Sequence, residues 1–311
     1  MQGPARRWLL AIGAASLLAP ALAQAAAPDT ITIDAERPFP ESLTASRDGT
    51  VYFGSIATGD IYRAAPGAAT ATRWIAHDEN EASLVLGVLA DDASATLWVC
   101  ASRPREATTG ATVVKAFDLA TGALKARYPF PGGAGVCNDI AVADDGTVYA
   151  TDIGGGNVMR LAKGADGFTL WRGGPELAGV DGIAILADGA VYVNTLFTGH
   201  LLRIAVAADG SAAAPVQLVT SRPLERPDGM RALGGDRIIL AEQAGRASEI
   251  RIAGDNAEVT TLADGYEETA AITAVGDDIY ILEAKLSYMR DPAKAEQGPG
   301  PATAYRIKRS R

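Results

Sequence analysis

Glu41, Asn138, Asp181 and Asp228 occupy one position in a repeating pattern. Each stands ten residues before a hydrophobic pair, Val51-Tyr52, Val148-Tyr149, Val191-Tyr192 and Ile238-Ile239 respectively. Thr269 holds the same place before Ile279-Tyr280, and Leu86 holds it before Leu97-Trp98 once one extra residue is allowed. If the shared register brings these side chains to one point, three carboxylates and an amide converge there. Such a group repels itself unless protons or a cation neutralise it. Oxygen-only donors suit a hard divalent ion, Ca²⁺ first, then Mg²⁺ or Mn²⁺, with Zn²⁺ a poorer match. The competing reading is that Asp and Asn simply open strands as turn residues. In the ring reading Leu86 and Thr269 are the departures and face substrate or fill the far side.

The elements that must position these residues are hairpins. Leu43–Tyr52, Ile140–Tyr149 and Ile183–Tyr192 each run from an alternating strand through Asp-Gly into a second strand, a strong hairpin signal because Gly accepts positive φ. Weaker copies are Val88–Trp98, Arg231–Ile239 with Gly234-Gly235-Asp236, and Ile272–Tyr280 with Gly276-Asp277-Asp278. Third strands follow at Gly59–Arg63, Val113–Phe117, Asn157–Leu161 and His200–Ile204, and fourth strands at Thr72–Ile75, Leu124–Tyr128, Phe168–Trp171, Val216–Val219 and Val259–Leu262. Self-similarity at such a period predicts an all-β fold, a six-bladed β-propeller of four-stranded blades spanning residues 26–311. Thr303–Ile307 supplies the sixth unit's third strand and Thr30–Ile33 its outermost, so both termini close the ring in one blade. Two all-β domains are the alternative, but no Pro/Ser-rich linker divides the halves. Innermost strands of a propeller begin around its axis, which puts the six aligned residues at one mouth. Insertions at Ser102–Ala111 and Ala284–Ala302 fall on that rim and are lid candidates.

Other residues near this mouth have plainer readings beside functional ones. Asp152, Glu242 and Glu283 end second strands, where they would orient ligands and waters or bond loop amides. His77 and His200 lie on the rim as surface histidines or as catalytic partners. Cys100 and Cys137 come to the same end of adjacent units, as a disulfide or as two buried thiols. Trp98, Trp171, Tyr52, Tyr149, Tyr192 and Tyr280 recur as packing between blades. Gly154-Gly155-Gly156 precedes a strand and not a helix, so it is no phosphate loop. Arg306, Lys308, Arg309 and Arg311 form a solvated strand face and tail.

Composition bounds the function classes. With 48% hydrophobic residues, 34 Gly, 16 Pro and 2 Cys in 311 residues, the chain is neither disordered, nor a coiled coil, nor a disulfide scaffold. A net charge of −9 argues against a nucleic-acid partner. Two histidines exclude a three-histidine zinc site, and a serine triad would have to use His77 or His200. Residues 1–25 carry Arg6-Arg7, the apolar run Trp8–Ala19, Pro20 and then small residues, the order of a cleaved secretory signal. The run is too short to span a bilayer, and no later segment reads as a span. The mature chain is expected to be exported, to the periplasm or beyond, with a net charge of −11.

Pro40-Glu41-Ser42, Asn138-Asp139-Ile140-Ala141-Val142, Asp181-Gly182-Ile183-Ala184 and Pro227-Asp228-Gly229-Met230 resemble the motifs of one family. It groups senescence marker protein (regucalcin), gluconolactonase and luciferin-regenerating enzyme, six-bladed propellers with a catalytic metal on the axis. The resemblance runs from about residue 30 to the C-terminus. It implies that Glu41, Asn138, Asp181 and Asp228 hold a metal, that Asp228 doubles as general base, and that a small lactone is hydrolysed. Two positions depart from the family pattern. Asp181 stands where an Asn is usual, and Val136 stands where the sugar-lactone members carry an Arg two residues before the third unit's Asn. Other readings are an exported propeller that binds a ligand or partner around a structural metal, and a different reaction on the plan of strictosidine-synthase-like propellers.

Overall fold

A computed structural model describes residues 27–80, 84–102 and 111–309. The segment read as a secretory signal and most of the Ser102–Ala111 insertion lie outside them. The described chain is all-β with three short α-helices, His77–Asn80, Ser287–Arg290 and Pro292–Gln297. Its strands form mainly antiparallel sheets in the order of the sequence repeats. The second unit runs Leu84–Asp91, Thr96–Ser102, Val113–Asp118, Leu124–Pro129, and the third runs Cys137–Val142, Val148–Asp152, Asn157–Leu161, Thr169–Gly173. Successive four-stranded sheets of this kind are the organisation of a β-propeller.

First strands pack side by side around a centre. Pro40–Ala45 lies next to Leu84–Asp91, then come Cys137–Val142, Val180–Ile185, Pro227–Gly234 and Thr269–Val275, and the last returns to Pro40–Ala45. Each hydrophobic cluster is shared by two consecutive units, because a strand's alternate side chains point to opposite faces and both faces of every sheet meet a neighbour. Tyr52, Ile61 and Ile75 of the first unit join Val85, Val88 and Leu97 of the second. Tyr149 and Val158 of the third join Ile183 and Val191 of the fourth. The recurrent tyrosines are buried in these seams as expected, while Trp74 packs at a tilt on Tyr52 and Trp171 edge-on against Tyr149 of their own sheets, with ring centroids 5.3 and 4.8 Å apart.

Closure uses the termini. Thr30–Ile33 pairs antiparallel with Thr303–Ile307 and parallel with Thr70–Ile75, merging the first and sixth units into one eight-stranded sheet. A similar bridge replaces the single strand expected at Val216–Val219. Val216-Gln217 pairs within the fourth unit, whereas Val219-Thr220 runs parallel to Asn256-Ala257 of the fifth. Leu218 between them is 3% exposed and turns into the seam, which breaks the strand in two.

The Ala284–Ala302 insertion folds into the two short helices Ser287–Arg290 and Pro292–Gln297. Arg37 of the first unit donates to the carbonyls of Tyr288 and Ala295 at 3.1 and 3.2 Å and fastens the insertion down. Among the described residues no helix is long and apolar enough to cross a membrane.

Candidate axial site

Each first strand breaks its pairing near its start. The ladder is interrupted between Pro40 and Ser42, Val85 and Val88, Cys137 and Ile140, Val180 and Ile183, Pro227 and Met230, and Thr269 and Ala271. A bulge re-aims side chains away from the sheet. The residues released here are Glu41, Leu86, Asn138, Asp181, Asp228 and Ala270, followed in four units by Gly87, Asp139, Gly182 or Gly229. Five of the six aligned residues expected from sequence therefore sit at the bulge. The sixth is corrected from Thr269 to Ala270. The hairpin before Ile279 pairs it with Ala274, one residue closer than the partners of Val51 and Ile238, so counting ten residues overshoots by one. Thr269 instead donates its hydroxyl to the carbonyl of Glu242.

Glycine after the aligned residue has a steric cause. A Cβ on Gly87 would lie 2.3 Å from the Asn138 carbonyl oxygen, one on Gly182 2.4 Å from that of Asp228, and one on Gly229 2.9 Å from that of Ala270. Each of these glycines lets the next unit's strand approach the axis. The series also marks Ala270 as the sixth member of the ring.

The side chains are buried: Glu41 is 7% exposed, Asn138 5%, Asp181 1% and Asp228 3%. Asn138 donates Nδ2 to Asp181 Oδ2 at 3.3 Å, and Gln243 donates Nε2 to Asp228 Oδ2 at 2.7 Å. Burial pushes all three carboxyls above their ordinary range. Asp228 and Asp139 add repulsion at Glu41, while Arg231 and Arg290 draw it back. Asp228 and Glu41 add repulsion at Asp181. Asp228, partly relieved by Gln243, Asp181 and the Gly229 amide, reaches about 7. Asp181 Oδ1 has no hydrogen-bond partner among the described residues.

Beneath this group the axis is closed by a pair that sequence reasoning missed. Arg231 donates to Asp139 Oδ2 at 2.7 Å and to the Val88 carbonyl at 3.0 Å, so the fifth unit is tied across to the third and second. Asp139 is 3% exposed and also accepts from the Ile140 and Ile183 amides. The only sequence signal was an Asp following Asn138 and an Arg three residues after Asp228, both on strands already read as innermost.

The three carboxylates at second-strand ends bond loop amides and do not turn to the axis. Asp152 accepts from Val136 and Gly155, Glu242 from Glu225 and bidentately from Arg222, and Glu283 from Glu267. They fix the loops that lead into the aligned residues. His77 is exposed and caps Asp60 at 3.3 Å, and neither it nor His200 joins the axial group. Cys100 and Cys137 are disulfide-bonded with Cα atoms 5.2 Å apart, joining the second unit to the strand that carries Asn138.

Oxygen donors, burial and an unpartnered Asp181 oxygen fit a hard cation by chemistry. Among the described residues no three His, Cys, Asp or Glu converge at metal-ligand spacing, so the arrangement as it stands is a buried carboxylate group held by hydrogen bonds.

A cavity of about 240 Å³ opens beside this group, lined by Arg226, Gln243, Glu268, Thr269, Ala270, Leu286 and Arg290.

No protein-family model matches the chain, and no curated protein matches it. Solved structures do. The major allergen Mala s 1 of Malassezia sympodialis superposes with a TM-score of 0.71 at 15% identity, over 92% of this chain and 97% of the allergen. Luciferin-regenerating enzyme gives 0.65 at 15% identity, over 90% and 95%. A gluconolactonase from Xanthomonas campestris gives 0.63 at 15% identity, over 89% and 87%. The family resemblance read from the motifs is borne out at the level of the fold, which this chain shares with these propellers.

Proposed function

We propose that the chain is a six-bladed propeller from residue 26 onward that hydrolyses a small lactone or related ester at its axial mouth. The observation that carries this reading is the three buried carboxyls, Glu41, Asp181 and Asp228, each released at the bulge of a first strand, with the Arg231–Asp139 pair on the same strands. Uncompensated buried carboxylates are costly, and such groups concentrate where chemistry needs them. The fold shared with a gluconolactonase and luciferin-regenerating enzyme adds support.

Glu41, Asn138, Asp181 and Asp228 would hold a divalent cation, Ca²⁺ before Mg²⁺, Mn²⁺ or Zn²⁺, which when bound polarises the carbonyl of the ester. The chain's own part is proton handling. Asp228 takes a proton from the attacking water as the new carbon–oxygen bond forms. It returns that proton to the ring oxygen as the ring carbon–oxygen bond breaks, giving a hydroxy acid. Gln243 fixes the orientation of the Asp228 carboxyl through its 2.7 Å hydrogen bond to Oδ2. The disulfide accords with export into an oxidising compartment by the N-terminal segment.

The test is a pH-indicator screen of aliphatic, aromatic and sugar lactones, with and without EDTA, followed by metal re-addition. Hydrolysis should vanish with chelator, return with one divalent ion, and fall by a factor of about 10² to 10⁴ in Asp228→Asn. Full activity in that variant removes Asp228 from the reaction. Bound metal with no hydrolysis across the panel leaves the ligand-binding propeller as the function.

A further inference from the structure

Two cationic side chains share the cavity that reaches Ala270 and Gln243, beside the axial carboxyls. Arg290 comes from the helix Ser287–Arg290 in the sixth-unit insertion, and its charge is felt at Glu41. Among the described residues its guanidinium has no hydrogen-bond or ion-pair partner. Arg226 enters from the fifth unit, two residues before Asp228, and uses only Nε, on Gln243 Oε1 at 2.8 Å. Its remaining two nitrogens carry no contact among the described residues. The one carboxylate in the lining, Glu268, accepts from the Ser287 amide at 2.7 Å. The cavity thus sets two guanidinium groups against one carboxylate.

The backbone at Arg226 follows the repeat. Its φ is 54°, in the left-handed region, at a register where Phe39, Gly179 and Glu268 of the first, fourth and sixth units stand at 38°, 73° and 50°. The conformation belongs to the repeat and sets where the side chain at this register leaves the chain just before the bulge. In this unit the position carries a guanidinium, and Arg226 lines the cavity. Gln243 then links it to Asp228 through two hydrogen bonds of 2.8 and 2.7 Å.

We propose that the site selects lactones or esters that carry a carboxylate, with Arg290 and Arg226 gripping that group while the reacting carbonyl lies over the axial residues. A planar guanidinium matches a carboxylate bidentately, and two of them facing one cavity fit an oxyanion better than the hydroxyls of a neutral sugar. The inference rests on the hydrolase reading for its reaction and on the arginine pair for its substrate class.

The test uses the full mature chain with Ca²⁺ and two matched substrates. These are γ-carboxy-γ-butyrolactone and γ-valerolactone, which has a methyl group where the first has its carboxylate. The wild-type ratio of kcat/KM, charged over neutral, should be roughly ten- to hundredfold. Arg290→Gln and Arg226→Gln should each lower that ratio about tenfold through KM, since a charged hydrogen bond contributes that much, and Arg290→Lys should restore part of it. A wild-type ratio near one overturns the proposal, as does a ratio that survives the double variant. If neither lactone is opened, the hydrolase reading fails and the arginine pair is still tested by binding. The ring-opened acid α-hydroxyglutarate should raise the melting temperature of the wild type and leave that of the double variant in place. Equal response of the two proteins overturns the anion site itself.

Discussion

Glu242 shows what the carboxylates outside the axial group do. It is fully buried, and burial alone would push its carboxyl up. The bonds from Arg222, the Glu225 amide and Ser248 outweigh that and hold it below its ordinary value of 4.5. Removing one partner of such a pair leaves the other charge stranded, so Glu242→Gln should cost about 3 kcal/mol in urea-induced unfolding near neutral pH. The sign with pH follows from the lowered value. The native state binds the proton less readily than the unfolded chain, so the stabilisation is complete above the ordinary glutamate range and is lost as pH falls through the lower native value. The gap between wild type and variant should therefore narrow below about pH 4, and a gap that stays constant would count against the charged pair. At this scale the sequence was most legible for Glu41, Asn138, Asp181 and Asp228, because hairpin register transmits position. Gln243, Arg226 and Arg290 were not legible. Their placement depends on loop residues that differ from unit to unit and on an insertion that follows no period.

The hairpin with its bulge is the element that turns register into a site. Reading failed by one residue at Thr269 because a shortened turn shifts the sixth hairpin, and length alone does not reveal which side of a turn has lost a residue. The glycines that follow Leu86, Asp181 and Asp228 carry the correction in their sterics. Gly182 lies against the Asp228 carbonyl and against Asn194, whose Nδ2 donates to that same carbonyl at 2.6 Å. An added methyl there must push Asp228 off the axis or shift both strands. Gly182→Ala is expected to cost about 1–3 kcal/mol and to reduce hydrolysis further than the stability loss explains. Gly167→Ala is the control. Nothing lies within 4 Å of a carbon added there, and its effect should stay within about 0.5 kcal/mol. Equal effects of the two substitutions on activity would mean that close approach at the axis is not what positions Asp228.

At the scale of the molecule, the repeats made the ring legible, and the seams between units explain why it holds. No sheet has a hydrophobic face of its own to bury, so each contributes one face to each neighbour. A row of such units left open would tolerate damage at an end, since every unit contacts only its neighbours. Here the ends are not ends. Ile31 and Ile33, each 2% exposed, bury the N-terminal strand in the cluster that joins the first and sixth units, and Arg306 pairs with Asp29 beside them. Ile33→Asp places a carboxylate in that seam and should cost more than about 4 kcal/mol. For a chain of this size that lowers the melting temperature by roughly 8 °C or more. The discriminating feature is the shape of the calorimetric trace. A closed ring whose axial residues come from every side should lose its seam and its site together, in one endotherm moved to lower temperature. A separate early transition, with the axial chemistry intact until the main one, would mean that the terminal strands fray as an independent unit and that the ring does not depend on its seam.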